Sequence, residues 1–223
     1  GLGLDFQNSV RAISSRIDLA TWIEDSAARV DHDNSSLGSA AVFHPNGAYL
    51  FVALQTSRQV AVVDAVGKRE LFRFDVGRAP DGLAVSADGL RLYVNNFMDR
   101  TLGVHDLGRL VNFGELTVTA LAAPNAVASE RLVANVLLGK RLFYDARDTR
   151  LARDGYLSCA SCHNDGGHDG RVWDMTGFGE GLRNTISLRG RGNGHGSAHW
   201  SGNFDETQDF EAQIRTLAGG TGL

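Results

Sequence analysis

Two cysteines and the histidine that follows them are the residues of this chain best placed to do chemistry. They form the run Cys159-Ala160-Ser161-Cys162-His163, and the 223-residue sequence contains no other cysteine. A C-x-x-C-H run is typical of haem attachment, because two thiols on one turn can reach the two vinyl groups of a porphyrin. The adjacent imidazole then lies under the iron on the proximal face. The sequence therefore predicts one covalently bound c-type haem, with His163 as an axial ligand.

Three other interpretations of the cysteine pair are open. A thioredoxin-like dithiol is expected in a βαβ context, whereas a glycine-rich stretch follows this motif. A structural zinc site needs two more ligands at finger-like spacing, which His163 and His168 could supply. The third interpretation is a chance match with two free thiols. Haem attachment is favoured over all three, because it uses the histidine directly beside the second cysteine.

The ligand on the distal face of the iron sets its reduction potential and its chemistry. His168 is too close to His163 to pass round the edge of a porphyrin, and His195 stands between two glycines, where we expect it to be exposed. His199 follows His163 by 36 residues, which allows the chain to wrap round the ring. We predict His199 as the distal ligand, with Met175 as the alternative.

Other side chains in the same stretch suit the edges and faces of a haem. Guanidinium groups bind carboxylates in a bidentate manner, and Arg183 is our preferred partner for a propionate. Trp200 and Trp173 can pack on the ring. Each of these residues has a simpler interpretation as a solvated loop charge or a packed aromatic. The arginines of this stretch that could bind a propionate are Arg171, Arg183, Arg189 and Arg191.

The first half of the chain contains a repeat with a period of 42 residues. Residues 41–52 align without a gap with residues 83–94, and Gly47 falls on Gly89. Asn-Gly and Asp-Gly pairs at these two glycines are hairpin-turn signals. A unit of four short strands repeating every ~40–45 residues is typical of a β-propeller blade. We therefore predict a partial β-propeller with two clear blades over residues 1–120.

Two blades cannot close a propeller, which needs about four or more. The pattern from Phe6 to Val30 is weaker and is consistent with strands of another blade. Folded proteins avoid leaving the edges and faces of such sheets exposed. We therefore expect the chain to be an internal piece of a longer protein, with further blades upstream.

The composition changes near Leu121, and a second domain is predicted over residues 121–223. Ser129 is a candidate cap for one helix, and Asp205 or Thr207 for another near the end of the chain. Between these helices the chain is rich in glycine. The sequence predicts a small, mainly α, cytochrome c-like domain, so the fold class is mixed.

Two known families resemble parts of the sequence. Residues 77–86, followed by Asp88-Gly89, resemble the YVTN family of propeller repeats over about residues 35–120. The runs 138–145 and 157–163 resemble the bacterial di-haem cytochrome c peroxidase and MauG family. Residues 183–188 are similar to the R-N-T-P-S-L element of that family, with Ile186 in place of proline.

The second resemblance implies redox chemistry at a haem. That family carries two haem motifs in each catalytic unit, whereas this sequence has one. We therefore expect electron transfer through a single haem, with the propeller as a docking platform. The alternative is a MauG-like or peroxidase-like unit whose catalytic centre lies elsewhere in a longer parent protein. A third, non-redox option is a propeller whose haem domain is only structural.

Composition limits the partners and the location. Hydrophobic residues make up 43% of the sequence and charged residues 22%, with a formal net charge of −4. An acidic balance argues against nucleic acid as the main partner, and no apolar run is long enough to span a bilayer. A redox partner protein, or further domains of the parent chain, is expected instead. Since haem c is attached outside the cytoplasm, we expect a periplasmic or cell-surface bacterial protein.

Overall fold

The structure is a computed structural model that describes residues 11–190 and 198–223, and β-strands dominate it. Two four-stranded antiparallel sheets and two hairpins contain these strands. The first hairpin pairs β1 (Ala12–Asp18) with β2 (Ile23–His32). Within the described ranges, no helix has the length and the apolar character needed to cross a membrane.

The first four-stranded sheet, which we call the first blade, follows this hairpin. Its strands pair in chain order, and its second and third strands are almost entirely buried because aliphatic and aromatic residues fill them. These strands are β3 (Gly38–Phe43), β4 (Tyr49–Leu54), β5 (Gln59–Asp64) and β6 (Arg69–Asp75).

The second blade has the same order and ends in a short outer strand. A six-residue helix, α1 (Gly108–Phe113), precedes that strand. The four strands are β7 (Pro80–Val85), β8 (Arg91–Asn96), β9 (Thr101–Asp106) and β10 (Thr119–Ala122).

Backbone geometry repeats with the predicted period. Left-handed φ angles are rare for residues other than glycine, so their recurrence at a fixed spacing is a sensitive sign of an equivalent fold. Positive φ angles occur in three pairs of residues, and the two members of each pair lie 42 positions apart in equivalent turns. The pairs are Leu37 and Ala79, Gly47 and Gly89, and Arg58 and Arg100. The structure thus confirms two equivalent antiparallel units in a propeller-like arrangement.

The two blades share one hydrophobic core. Fully buried side chains from both sheets form it, together with Leu107 and Leu110 around α1. The inner strands β3 and β7 lie side by side, so the sheets stack face to face. His44 also joins the blades, since its Nε2 lies 2.9 Å from the carbonyl oxygen of Gly89 in the equivalent turn. This buried histidine therefore has a structural role.

The chain after Ala122 is mixed and rich in loops rather than mainly α. Its helices are α2 (Ala134–Phe143), α3 (Cys159–Cys162) and α4 (Phe210–Thr216). A hairpin of β11 (Val172–Met175) and β12 (Gly181–Asn184) occupies part of the glycine-rich stretch. Glycine disfavours a helix by about 1 kcal/mol per residue, which explains why this stretch is not helical.

The predicted helix start at Ser129 is wrong by several residues, because α2 begins at Ala134 without a side-chain cap. Glu130 explains the difference. Its carboxylate accepts the Leu132 N–H at 2.9 Å and pairs with Arg100 of the second blade at 3.0 Å. These contacts hold the segment in a turn against the blade, so the helix starts only after it.

Candidate haem-attachment site

The helix α3 carries the cysteine motif, and its four residues differ in how far they are exposed to solvent. Ala160 and Ser161 are buried, whereas Cys159 is exposed and Cys162 is partly exposed. The His163 N–H closes the turn by donating to the Cys159 carbonyl at 2.9 Å. Because residues three apart share one face of a helical turn, both thiols lie on one side of the turn. This is the arrangement that two thioether bonds to one planar group require.

The buried side of α3 docks on the propeller-like sheets. Ala160, fully buried, packs in one cluster with Ala79 and Met98 of the second blade and with Tyr144. The Ser161 hydroxyl hydrogen-bonds to the Ser36 hydroxyl, just before the first blade, and also accepts the Ser158 N–H at 2.9 Å. The motif is therefore held by both blades, through the two residues between its cysteines.

An ion pair makes a second connection between the blades and the haem-attachment region. Arg58, in the turn after β4, pairs with Asp145, just after α2, whose side chain is 8% exposed. Beside it the Ala146 N–H donates to the Thr56 carbonyl at 2.9 Å. The end of α2 is thus fixed to the first blade, on the same side as the motif.

Removing the carboxylate of this pair should destabilise the docked region. We expect Asp145→Ala to lower the free energy of unfolding by about 3 kcal/mol, because it leaves the Arg58 guanidinium partly buried and unpaired. Urea denaturation measures the change. Arg147→Ala is the matched control, since Arg147 pairs with Asp75 at 3.1 Å across the same boundary but both side chains are exposed. An exposed pair contributes less than about 1 kcal/mol, and equal losses in the two variants would contradict this assignment.

His163 is oriented for binding through one ring nitrogen. Its Nδ1 lies 3.3 Å from the carbonyl oxygen of Gly167. A carbonyl only accepts, so Nδ1–H is the donor and Nε2 keeps its lone pair. Metal-binding histidines commonly have their second nitrogen fixed by such a bond.

The pKa of the Cys162 thiol bears on the choice between the interpretations of the cysteine pair. Burial raises the pKa of the Cys162 thiol to about 12, and the Asp169 carboxylate and Cys159 act in the same direction. Thioredoxin-like cysteines instead have a lowered pKa. Throughout residues 11–190 and 198–223, no three His, Cys, Asp or Glu side chains converge as a metal-ion site would need. The raised pKa therefore counts against the dithiol-enzyme interpretation.

Exposed apolar side chains lie on the elements that precede and follow the motif in the chain. The helix α2 has no buried residue although it carries Val136 and Leu138. On the hairpin that follows the motif, Val172 is 58% exposed and Leu182 is 65% exposed. Small domains without enough apolar core usually depend on a staple or a bound group. The donor set and this uncovered apolar surface together fit a haem.

The structure places the two distal candidates in different settings. Met175 is half-buried at the end of β11, opposite Gly181. His199 occupies a turn with a φ of 65°, and its Nδ1 lies 2.9 Å from Asn203 Oδ1. Its ring lies 4.1 Å from that of Phe204, centroid to centroid. His168 is exposed in the loop after the motif, and His195 lies outside the described residues.

The arginines and tryptophans occupy distinct positions. Arg183 pairs with Glu180 at 3.3 Å on the second hairpin, whereas Arg189 donates to the Asp165 carbonyl, beside the proximal loop, at 3.1 Å. Trp200, exposed, donates from its indole N–H to the Asn184 carbonyl at 2.7 Å. Trp173 bonds to Asp169 and Thr185 instead, and Arg191 lies outside the described residues.

Sequence reasoning missed the residues that anchor the motif to the blades. Ser36, Arg58 and Met98 lie in turns between predicted strands, where nothing in the local pattern marks a contact. Asp145 stands 87 residues from its partner. Asp145 is the last residue of the run 138–145, which resembles the peroxidase family. That position is the one signal in the sequence that could have pointed to this residue.

Comparison with known proteins supports part of this description. Residues 133–216 match the family model of the di-haem cytochrome c peroxidases, a range that includes α2, α3 and both distal candidates. No curated protein matches the chain. Residues 133–216, which we call the MauG-like region, are therefore similar to that family, and they lie beside propeller-like sheets.

Solved structures match the chain over about half its length. Hydrazine synthase of Kuenenia stuttgartiensis is 27% identical, with a TM-score of 0.41, over 49% of this chain and 28% of that one. The β-propeller domain of Swd1 from Myceliophteria thermophila is 15% identical, with a TM-score of 0.42, over 50% and 37%. Dihydro-haem d1 dehydrogenase NirN is 19% identical, with a TM-score of 0.37, over 50% and 21%. The chain thus spans well under half of each of these structures.

Proposed function

We propose that this chain is a c-type cytochrome that transfers electrons through one covalently bound haem. The observation that carries the proposal is the turn α3, whose two cysteines share one side while the two residues between them are buried against the blades. The match of residues 133–216 to the di-haem cytochrome c peroxidases supports a haem there. A bound haem supplies reversible one-electron chemistry at its iron.

Different residues of the motif would have different roles in holding a haem. Cys159 and Cys162 would form the two thioether bonds, and His163 would bind the iron through Nε2 while Gly167 fixes the other nitrogen. The docking of Ala160 and Ser161 on the blades keeps this turn rigid. A rigid support reduces the reorganisation that accompanies a change of charge, which favours electron transfer.

His199 is our proposal for the distal ligand. Its Nδ1 is bonded to Asn203, so its Nε2 is left with a lone pair, as in His163. The imidazole packs in one cluster with the rings of Phe204 and Phe210, which also contact each other. Two histidine ligands would close the iron to peroxide and give a lower potential than a His/Met pair. Met175 remains the alternative, and Arg183 and Trp200 are proposed at the propionates and the ring face.

A second function is favoured by the family match. In a MauG-like or peroxidase-like enzyme, the single haem of this chain would relay electrons to a catalytic centre elsewhere in a longer parent. The 223 residues contain only one C-x-x-C-H run, so a second covalent haem of the usual kind would have to come from outside them. In both cases we propose an exported, periplasmic or cell-surface protein whose partner is a redox protein or another domain of the parent.

The two functions differ in whether one coordination position of the haem iron is open to small ligands. We expect the ferric holo-protein to be low-spin in visible and EPR spectra and to bind neither cyanide nor peroxide at millimolar concentration. That result supports electron transfer with two protein ligands. A high-spin ferric spectrum, or ready binding of either probe, would instead favour the peroxidase-like function for this chain.

A further inference from the structure

The most exposed apolar side chains lie in three connections between strands. Leu19, Trp22, Val66 and Phe113 are each at least 75% exposed, more than any other large apolar side chain of residues 11–190 and 198–223. Leu19 and Trp22 lie in the turn between β1 and β2, and Val66 lies in the turn between β5 and β6. Phe113 ends α1, which joins β9 to β10. Single exposed apolar residues are normal on a protein surface, but their concentration in these connections calls for a reason.

These connections lie at one end of the sheets. In each blade the strands are antiparallel and pair in chain order, so the first and third connections share one end and the second connection lies at the other. His44 Nε2 lies 2.9 Å from the Gly89 carbonyl oxygen, which places the first turns of both blades together. The hairpin β1–β2 reaches the same end, where Asp25 pairs with Lys68 at 3.3 Å. We call this end of the sheets the turn end.

The haem-attachment motif and the end of α2 dock at the opposite end. Their partners in the second connections of the blades are Arg58 and Met98, and their partners just before the first strands are Ser36 and Ala79. Strands of six residues separate the two ends, which is about 20 Å of extended chain. The exposed apolar side chains of the turn end are therefore remote from the cysteines, and haem binding does not account for them.

The β1–β2 turn has the same backbone structure as the β5–β6 turn. Asp18 Oδ1 accepts the N–H groups two and three residues later at 2.8 and 3.0 Å, and Asp64 Oδ1 does the same at 3.1 and 2.7 Å. Equivalent residues then have a left-handed φ, 58° at Trp22 and 55° at Lys68. A bulky side chain is disfavoured at such a φ, and lysine occupies the position in the first blade. Folding of the turn thus gives no reason for an exposed indole at its tip.

Charged side chains near the turn end pair with one another. The ion pairs are Arg16 with Asp25, Arg91 with Asp106 and Arg109 with Glu115. An end whose charges pair in this way offers little electrostatic attraction to a strongly charged partner. The four exposed apolar side chains stand on separate tips, and none of them lines the groove of about 450 Å³ between the hairpin β1–β2 and the first blade.

We propose that the turn end binds the surface of a lipid bilayer, with Leu19, Trp22, Val66 and Phe113 in the interfacial region. Tryptophan is enriched at membrane–water interfaces because its indole is apolar and also donates a hydrogen bond. Apolar side chains on separate tips suit a flat, fluid surface, whereas a protein partner needs a closely packed, contiguous patch. A neighbouring sheet is not the occupant, since sheets stack through their faces, as β3 and β7 do, and leave the turns uncovered.

This contact is independent of haem, because it involves no residue of the MauG-like region. Four side chains from turn tips give reversible binding, weaker than that of a membrane-spanning segment. The contact would hold the haem-attachment end away from the bilayer, toward the aqueous phase.

Sedimentation of the purified protein with vesicles tests the proposal. We expect binding to vesicles of phosphatidylcholine alone, within about threefold of the binding to vesicles that also contain phosphatidylglycerol, because the charges of the turn end are paired. Leu19→Ala/Trp22→Gly should bind at least about tenfold more weakly, since two large apolar side chains are lost. This variant should keep its fold, because Ala65 occupies the position equivalent to Leu19 and glycine readily adopts a left-handed φ.

Val133→Ala is the matched control. Val133 is exposed, but it lies near the haem-attachment end, three residues after Glu130, which pairs with Arg100. This variant should bind vesicles as the wild type does. Phosphatidylcholine with brominated acyl chains should quench part of the wild-type tryptophan fluorescence, and that quenching should be absent in Leu19→Ala/Trp22→Gly.

Three results would overturn the proposal. The first is a wild-type protein that does not sediment with phosphatidylcholine vesicles, which would point to a protein partner instead. The second is a folded Leu19→Ala/Trp22→Gly variant, with an unchanged circular dichroism spectrum and melting temperature, that binds vesicles as tightly as the wild type. The third is a wild-type dimer in analytical ultracentrifugation that this variant fails to form, since a second copy would then cover the turn end.

Discussion

Replacing both cysteines of the motif, as Cys159→Ala/Cys162→Ala, is expected to unfold the MauG-like region while the two blades stay folded. The described part of residues 133–216 contains few buried apolar side chains, and α2 buries none. Without a covalent haem this region lacks the apolar surface that would order it. The blades share their own core of fully buried residues, so they do not depend on the haem.

Hydrogen–deuterium exchange resolves the two parts of the chain in one experiment. We expect exchange from residues 133–216 to rise at least about tenfold, which is about 1.4 kcal/mol in opening free energy, with β4 and β5 unchanged. His168→Ala is the matched control, because His168 is exposed in the same loop and its loss should leave haem and protection intact. Unchanged protection of residues 133–216 in the double variant would show that this region folds without haem.

Replacing His199 by alanine is expected to convert the ferric iron from low-spin to high-spin. Loss of the distal imidazole leaves the position open to water, a weaker ligand, and the potential should rise as the second histidine is removed. Met175→Ala, the matched variant, should leave the spectrum unchanged. Visible and EPR spectra of the two holo-variants measure the difference.

The reverse result has an equally clear meaning. If Met175→Ala becomes high-spin while His199→Ala does not, the distal ligand is the methionine and the potential of the wild-type haem is higher than proposed. If neither variant changes, neither residue is the ligand. The hydrogen bond of His199 Nδ1 to Asn203 then has only a structural role in that turn.

Local patterns were sufficient to predict the repeat and the attachment turn. The 42-residue spacing follows from glycine turns such as Gly47 and Gly89, and both have the left-handed φ that such turns require. The motif itself predicts that Cys159 and Cys162 share one face of a turn. These features depend on residues close together in the chain, where turn chemistry and helical spacing determine the structure.

Long-range contacts were not predictable in the same way. The pairing of Arg58 with Asp145 and the bond between Ser36 and Ser161 join residues 87 and 125 positions apart. Such contacts depend on how the blades stack, which single-residue propensities do not encode. The hairpin β11–β12 was missed because its glycine-rich surroundings hide two strands of only four residues each.

The docking of the motif on the blades connects the two halves of the structure. Ala160 and Ser161 lie between the two cysteines of the motif. Ala160 packs in one cluster with Ala79 and Met98, and Ser161 hydrogen-bonds to Ser36. A haem attached at Cys159 and Cys162 would therefore be fixed relative to the propeller-like sheets. This geometry favours a role of the blades in presenting the haem to a partner, as proposed for electron transfer.

The central claim, one haem bound covalently to the motif, is tested most directly by mass spectrometry of the purified protein. After digestion with trypsin, which cleaves after arginine, residues 154–171 form a peptide that contains both cysteines and His163. The account predicts that this peptide carries the mass of one haem, retained after denaturation in acid. Recovery of the peptide with two free thiols or an internal disulfide, together with haem that acidified solvent extracts, would contradict it.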